Sequence, residues 1–120
     1  MTRIYVDYLR DMLDNAKRAL RFDEGMDYSS FSKDEKSVYA VIRAVEIIGE
    51  ATRNIPEELR VKYPEIPWRD VSDMRNKLVH NYFGINLEVI WQTLEEDIPL
   101  LADALQNIIR REENSTINNE

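Results

Sequence analysis

Three reactive side chains lie within eight residues of this chain: Arg75, His80 and Tyr82, of which His80 is the only histidine. Arginine is a permanent cation whose planar donors suit phosphate, and histidine exchanges a proton near neutral pH without help. Cleavage of RNA by its own 2′-hydroxyl needs one group to take that proton, another to protonate the leaving oxygen, and a cation for the phosphate charge. The stretch is therefore a candidate phosphodiester site.

A structural interpretation of the same residues competes with the chemical one. Lys77 and His80 near the end of a helix interact favourably with the helix dipole. Tyr82 can belong to the core. From residue types and spacing alone, such a set of side chains is more often structural than catalytic.

The charge of the chain argues against attraction of nucleic acid over long distances. Its net charge is -7, whereas proteins that bind nucleic acid usually display a basic face. Residues 67–85 nevertheless carry a net charge of +1, and no acid occurs from Arg75 to Ile85. The sequence thus predicts a locally basic site on an acidic body.

Composition limits the class of protein and its cofactors. The 120 residues fit one domain. The absence of cysteine excludes disulfides and thiolate metal sites, and a single histidine disfavours zinc, so we expect no metal and no cofactor. No run of about eighteen apolar residues and no signal-peptide core occur, so we expect a cytoplasmic protein that does not enter a membrane.

Apolar spacing predicts an all-α bundle of four main helices, antiparallel, with a short minor helix and no sheet. The first helix spans Arg3 to Phe22. Ser32 and Glu35 resemble a capping box that begins a second helix, which ends at about Ile55. The minor helix starts at Pro56.

The remaining main helices surround the reactive stretch. The third is predicted from Trp68 to Asn81 or Tyr82, with Gly84 as its left-handed terminator. Asn86 is the predicted N-cap of the last helix, which Pro99 should bend. Residues 112–120 form a polar tail that we expect to be disordered.

The second helix has two apolar faces and one charged face. The charged residues are spaced three and four apart: Arg43, Glu46, Glu50 and Arg53. They form either a solvated ladder of ion pairs, which is the commoner arrangement, or one wall of a cleft. The second apolar face is mostly small and would admit a close neighbour, including a second copy of the chain.

Helix geometry places Arg75 amid the apolar stripe of Trp68, Val71, Met74, Leu78 and Tyr82, where a charge is costly unless it faces a partner or a site. On a regular helix Arg75 and His80 would point about 140° apart. Either the helix unwinds near Asn81 to Gly84, or two chains pair across a twofold axis and share a cleft. We favour the second explanation.

The stretch from Arg75 to Tyr82 is similar to the motif of the HEPN superfamily: arginine, four residues, histidine, one residue, tyrosine. More specifically, the chain resembles the HepT toxin family. The segments 47–51 and 66–71 and the helix order over about residues 3–110 agree with this resemblance. It implies a HEPN-like helical domain over residues 1–111.

The resemblance implies a dimeric, metal-independent endoribonuclease, the toxin of a type VII-like toxin and antitoxin pair. His80 would handle the proton of the 2′-hydroxyl, Arg75 the phosphate, and Asn76 would assist by hydrogen bonding. The antitoxin of such pairs is an MntA-like nucleotidyltransferase that adds AMP to the motif tyrosine, here Tyr82. An adenylate would bring negative charge and bulk into a site that attracts phosphate, and would exclude RNA.

A second hypothesis is a noncatalytic dimeric module that binds a nucleotide or a nucleotidyltransferase partner. A third is a plain structural bundle. The second hypothesis predicts that His80 is dispensable. The third predicts that Arg75→Ala is neutral or stabilising.

Overall fold

The computed structural model describes residues 2–80 and 84–118, with side chains for residues 5–79 and 84–115. Most of the described chain is helical, which confirms the predicted all-α class. The helices are α1 (Thr2–Phe22), α2 (Tyr28–Lys33), α3 (Glu35–Thr52), α4 (Glu57–Lys62), α5 (Trp68–Ser72), α6 (Met74–Leu78), α7 (Leu87–Gln92) and α8 (Ile98–Asn118), with a π-helical segment over Thr93–Asp97. None of them combines the length and apolar character that crossing a membrane requires.

One continuous apolar core holds the bundle together, and α1 packs against both α3 and α8. The stripes predicted from sequence supply it, because a helix buries residues that recur every three and four positions. Fully buried members from these three helices include Leu9, Met12, Val45, Ile48, Leu105 and Ile108. The core therefore fixes α3, the helix that later forms one wall of the candidate site.

Two aspartates, not Ser32, cap the N-termini of α2 and α3. Asp27 caps α2 by accepting a hydrogen bond from the Ser30 amide at 2.8 Å, and Asp34 caps α3 by accepting one from the Ser37 amide at 3.3 Å. Ser32 instead donates to the Ser29 carbonyl within α2. The predicted Ser32 cap was wrong because Ser32 lies within α2, so that the cap position before α3 falls on Asp34.

The predicted third helix is shorter than expected and is divided. Asp73 has φ -98° and ψ 4°, which separates α5 from α6. The helix ends at Leu78, whose carbonyl accepts a hydrogen bond from the Asn86 amide at 2.9 Å. The predicted extension to Asn81 or Tyr82 was therefore wrong at residues 79 and 80, because this long-range contact and an extended Val79 take the chain out of the helix.

A two-residue antiparallel ladder follows, and it is one exception to the expectation of no sheet. β1 (Val79–His80) pairs with β2 (Gly84–Ile85), with Val79 opposite Ile85 and His80 opposite Gly84. Gly84 has φ +80°, a left-handed conformation as predicted, but it begins β2 instead of ending a helix. Residues 81–83 lie outside the described part of the chain.

The last helix begins at the predicted cap. The Asn86 side chain accepts a hydrogen bond from the Val89 amide at 3.3 Å. The irregularity predicted at Pro99 appears about one turn earlier, as the π-helical segment Thr93–Asp97. Because proline cannot donate a backbone hydrogen bond, the α-helical hydrogen-bond pattern is interrupted in the turn before Pro99. The wider π turn lies at this position.

Helix α8 continues past residue 111, where the sequence places the end of the folded domain. Glu112 on α8 is only 4% exposed. Its carboxylate accepts hydrogen bonds from the Tyr5 hydroxyl at 3.1 Å, the Lys62 ammonium at 2.8 Å and the Tyr63 hydroxyl. These bonds tie α8 to α1 and to the C-terminal end of α4.

Removal of this carboxylate is expected to destabilise the bundle. Burial disfavours the charge of Glu112, but bonds from Lys62, Tyr63 and Tyr5 outweigh burial and hold its pKa below the usual value. We expect Glu112→Ala to lower the free energy of unfolding in urea by about 3 kcal/mol at pH 7, because the buried Tyr63 hydroxyl and the partly buried Tyr5 hydroxyl lose their acceptor.

The pH dependence of unfolding provides a second measure. Since the pKa of Glu112 is lower in the folded state, its contribution is present above about pH 4.3 and is lost as pH falls through the folded pKa. Glu112→Ala should therefore lose less stability on acidification than the unaltered protein. Asp103→Ala, an exposed change on the same helix, is the control and should change stability by less than about 0.5 kcal/mol. If Glu112→Ala and the unaltered protein lost the same amount of stability on acidification, this role of Glu112 would be contradicted.

Candidate active site

Arg75 projects from the buried side of α6 into a cleft against α3. Its neighbours Met74 and Leu78 are 8% and 0% exposed and anchor the helix in the core. The Arg75 side chain itself remains 42% exposed, and its Nε lies 4.0 Å from a carboxylate oxygen of Glu46. The sequence anomaly, a charge within an apolar stripe, thus corresponds to a side chain at the edge of the core.

The Nε atom of Arg75 is buried but donates no hydrogen bond to any described residue. A separation of 4.0 Å from Glu46 is too long for a hydrogen bond, although it lies within the range of an ion pair. Both side chains are partly exposed, so this pair contributes little to stability. An unsatisfied buried donor is uncommon in proteins. A ligand in the cleft can therefore meet the exposed part of the Arg75 side chain, whereas Nε itself is shielded and has no acceptor among the described residues.

The cleft has a volume of about 220 Å³ and lies between α3 and the junction of α5 with α6. Two glutamates, two arginines and smaller polar groups line it: Glu46, Gly49, Glu50, Arg53, Ser72, Arg75 and Asn76. The cations suit a phosphate, while the carboxylates limit the approach of further negative charge. The arrangement favours binding of one phosphate group over a tract of phosphates.

Gly49 allows α3 to approach the end of α5 closely. A Cβ atom at this position would lie 2.9 Å from the Ser72 carbonyl oxygen, a contact that side chains essentially never make. Arg53 Nη2 also donates to the Ser72 carbonyl at 3.3 Å. Because Ser72 directly precedes the break at Asp73, these two contacts position the segment that carries Arg75.

Of the predicted site residues, the structure brings Arg75 and Asn76 together in the cleft. The backbone of His80 lies in β1, but its side chain is outside the described residues, as is all of Tyr82. The predicted 140° divergence of Arg75 and His80 assumed a regular helix through both. That argument was wrong because the helix ends at Leu78, earlier than the predicted unwinding near Asn81 to Gly84.

The charged face of α3 forms one wall of the cleft, which was the less common of its two interpretations. Glu46, Glu50 and Arg53 line the cleft, whereas Arg43 is exposed one turn away. Sequence reasoning did not identify Gly49 or Ser72 as contributors. The available signal was a glycine inside a helix, which often marks close approach of another backbone segment.

A larger cavity of about 280 Å³ lies elsewhere, between α5 and α6 on one side and the π-helical segment and α8 on the other. Its lining is mainly apolar and includes Ile66, Val71 and Leu101 but not Arg75 or Asn76. Among the residues that the structure describes, no group of His, Cys, Asp and Glu side chains has the arrangement of a metal site. The charged cleft is the candidate active site because it contains Arg75 and Asn76.

Most of this chain is similar in sequence to known proteins. Residues 12–108 match the family model described as "Ribonuclease HepT-like". A protein of Thermococcus cleftensis named "Probable ribonuclease HepT" is 43% identical over 108 residues, which cover 90% of this chain and 98% of that protein. One from Caldanaerobacter subterraneus subsp. tengcongensis, named "Putative RNase TTE0752", is 37% identical over 105 residues, or 88% and 94% of the two chains.

No solved structure gives a significant match to this chain. The matched region, residues 12–108, contains α3, the cleft and the whole stretch from Arg75 to Tyr82. The agreement therefore covers the elements that form the candidate site as well as most of the core. The chain belongs to the ribonuclease HepT-like family.

Proposed function

We propose that the protein is a metal-independent endoribonuclease with Arg75 and His80 as catalytic groups, supported by Asn76 and Tyr82. The observation that carries the proposal is the cleft position of Arg75, whose buried Nε has no hydrogen-bond acceptor among the described residues. Membership of a family described as ribonuclease HepT-like supports the same activity. The substrate is RNA, and we place the protein in the cytoplasm.

In this mechanism the nucleophile is the 2′-hydroxyl of the RNA. His80 takes its proton, the 2′-oxygen bonds to the adjacent phosphorus, and the bond from phosphorus to the 5′-oxygen breaks. The leaving 5′-oxygen receives a proton, and the other product is a 2′,3′-cyclic phosphate. Arg75 stabilises the additional charge on the phosphate oxygens in the transition state. Asn76 assists by hydrogen bonding.

A second copy of the chain completes the site in this proposal. The reaction uses a base and an acid, whereas each chain contains a single histidine. A homodimer with both motifs at one cleft supplies two histidines and two arginines. The base and the acid are then the histidines of different protomers.

The enzyme acts in this proposal as the toxin of a type VII-like toxin and antitoxin pair. Its partner is an MntA-like nucleotidyltransferase antitoxin, which adds AMP to Tyr82. The added phosphate and adenosine would repel and obstruct RNA at a cleft that already contains Glu46 and Glu50. Modification would therefore silence the ribonuclease.

The alternative is a noncatalytic dimeric module that binds a nucleotide or the nucleotidyltransferase itself. The two glutamates in the cleft and the net charge of -7 favour this alternative, since both oppose the approach of a polyanion. It uses the same cleft and the same dimer. It differs in requiring no proton transfer by His80.

Coexpression with an MntA-like nucleotidyltransferase tests the proposal. The intact mass of the protein should increase by one or more AMP units, and Tyr82→Phe should abolish the increase because it removes the acceptor hydroxyl. Unmodified protein should cleave RNA in the presence of EDTA, and modified protein should not. An unchanged mass with an active transferase would contradict the antitoxin assignment, and loss of cleavage in EDTA would contradict metal independence.

A further inference from the structure

The exposed face of α3 continues beyond the cleft as a row of three side chains, Lys36, Tyr39 and Arg43, which we name the α3 ridge. Glu46, the ion-pair partner of Arg75, follows Arg43 after three more residues. At about 100° per residue, all four positions fall within an arc of about 80° on the helix. The ridge therefore leads along one helix face to the candidate active site.

The side chains of the α3 ridge are exposed, so packing in the core does not explain why these residue types occur there. Tyr39 is 55% exposed, and Lys36 and Arg43 are classed with the exposed residues. Among the described side chains, the three ridge residues form no ion pair and no hydrogen bond with one another or with others. A large ring in water between two unpaired cations contributes little to the fold.

We propose that the α3 ridge binds the segment of single-stranded RNA that flanks the scissile phosphate. Tyr39 stacks on a base, and Lys36 and Arg43 contact the phosphates on either side. This inference rests on the proposed ribonuclease function and adds a substrate-binding surface to it. From Lys36 to Glu46 the helix rises by about 15 Å, the length of about four stacked nucleotides.

The chemistry of the ridge favours single-stranded RNA over other partners. Stacking on an aromatic ring accepts any base, but only a base whose face is free of a duplex can stack in this way. Two cations seven residues apart lie two helical turns from each other and can both reach one phosphate backbone. The ridge also gives a protein of net charge -7 a local cationic path to the cleft.

Steady-state cleavage of two substrates tests the ridge: an RNA of about eight nucleotides and a dinucleotide too short to reach Tyr39. We expect Tyr39→Ala to raise the KM for the longer RNA about tenfold with little change in kcat, and Tyr39→Trp to restore it. Arg43→Ala should raise this KM and reduce the dependence of log KM on log salt concentration by about 0.7. On the dinucleotide, all of these variants should match the unaltered protein.

Two exposed positions on other helices provide matched controls. Val61→Ala removes an apolar side chain that is 68% exposed on α4, and Arg110→Ala removes an exposed cation from α8. Both should leave the KM for the longer RNA unchanged.

An unchanged KM in Tyr39→Ala, with the unaltered protein active, would overturn the ridge but leave the ribonuclease proposal in place. Dissociation of a dimer by Tyr39→Ala, detected by light scattering, would also overturn it, because the face would then be a contact between protomers. If the unaltered protein cleaves neither substrate, the ribonuclease proposal fails. Fluorescence anisotropy with the longer RNA then decides the ridge, since equal affinity of Tyr39→Ala and unaltered protein would reject it.

Discussion

His80→Ala is expected to slow RNA cleavage by on the order of 10³-fold and to abolish inhibition of growth, while the protein remains folded. The chain has no other histidine that could replace its proton transfer. The ladder between β1 and β2 pairs His80 with Gly84 through backbone atoms, so it does not depend on the imidazole. Initial rates on a fluorescent RNA measure the loss of cleavage, and thermal unfolding shows whether the protein remains folded.

His80→Gln provides a stricter version of this experiment. Glutamine offers hydrogen-bonding groups at a similar reach but cannot exchange a proton near neutral pH. It should therefore be as inactive as alanine if His80 acts as base or acid, and partly active if His80 only binds the phosphate. Full cleavage activity in both variants would reject His80 as base or acid, whereas growth inhibition by both variants without RNA cleavage by the unaltered protein would support the noncatalytic module.

Arg75→Ala is expected to reduce cleavage by about 10² to 10³-fold while leaving stability unchanged or increasing it. The activity falls because the transition state loses a cation. The stability does not fall, because the Arg75 Nε is buried without a hydrogen bond and the contact with Glu46 at 4.0 Å is partly exposed. Initial cleavage rates and urea unfolding of the same preparations measure both quantities.

Two comparisons separate this prediction from a general effect of charge. Arg75→Lys keeps the charge but loses the planar pair of donors, so it should recover only part of the activity. Lys77→Ala removes an exposed cation from the same helix and should have a much smaller effect on the rate. If the protein were a plain structural bundle, Arg75→Ala would leave its stability unchanged or increased, and the unaltered protein would not cleave RNA.

The sequence predicted the elements whose formation depends on short-range periodicity. The stripe of Trp68, Val71, Met74 and Leu78 is buried as expected, and Asn86 caps α7, the start of the predicted last helix. Arg75 was recognised because it interrupts an apolar stripe, which is a property of spacing alone. The catalytic roles of Arg75 and His80 and the supporting roles of Asn76 and Tyr82 remain predictions.

Features that depend on contacts between distant residues were not predictable in this way. The end of the third helix at Leu78 involves a hydrogen bond from Asn86, eight residues later in the chain. Likewise, Glu112 looked like part of a polar tail because its partners Tyr5 and Tyr63 lie far away in sequence. The cleft required the approach of α3 to α5, and although Gly49 is a local signal of a close neighbour, the sequence around it does not show that this neighbour is Ser72.

The approach of Gly49 to Ser72 has a consequence for how this site can change during evolution. The group that α3 meets is a main-chain carbonyl, which is present whatever residue occupies position 72. Surface residues near this contact can therefore change during evolution without displacing Arg75. The preferred RNA can change with them. The spacing instead depends on the absence of a side chain at position 49, so this position should tolerate far less variation than the neighbouring Glu46 and Glu50.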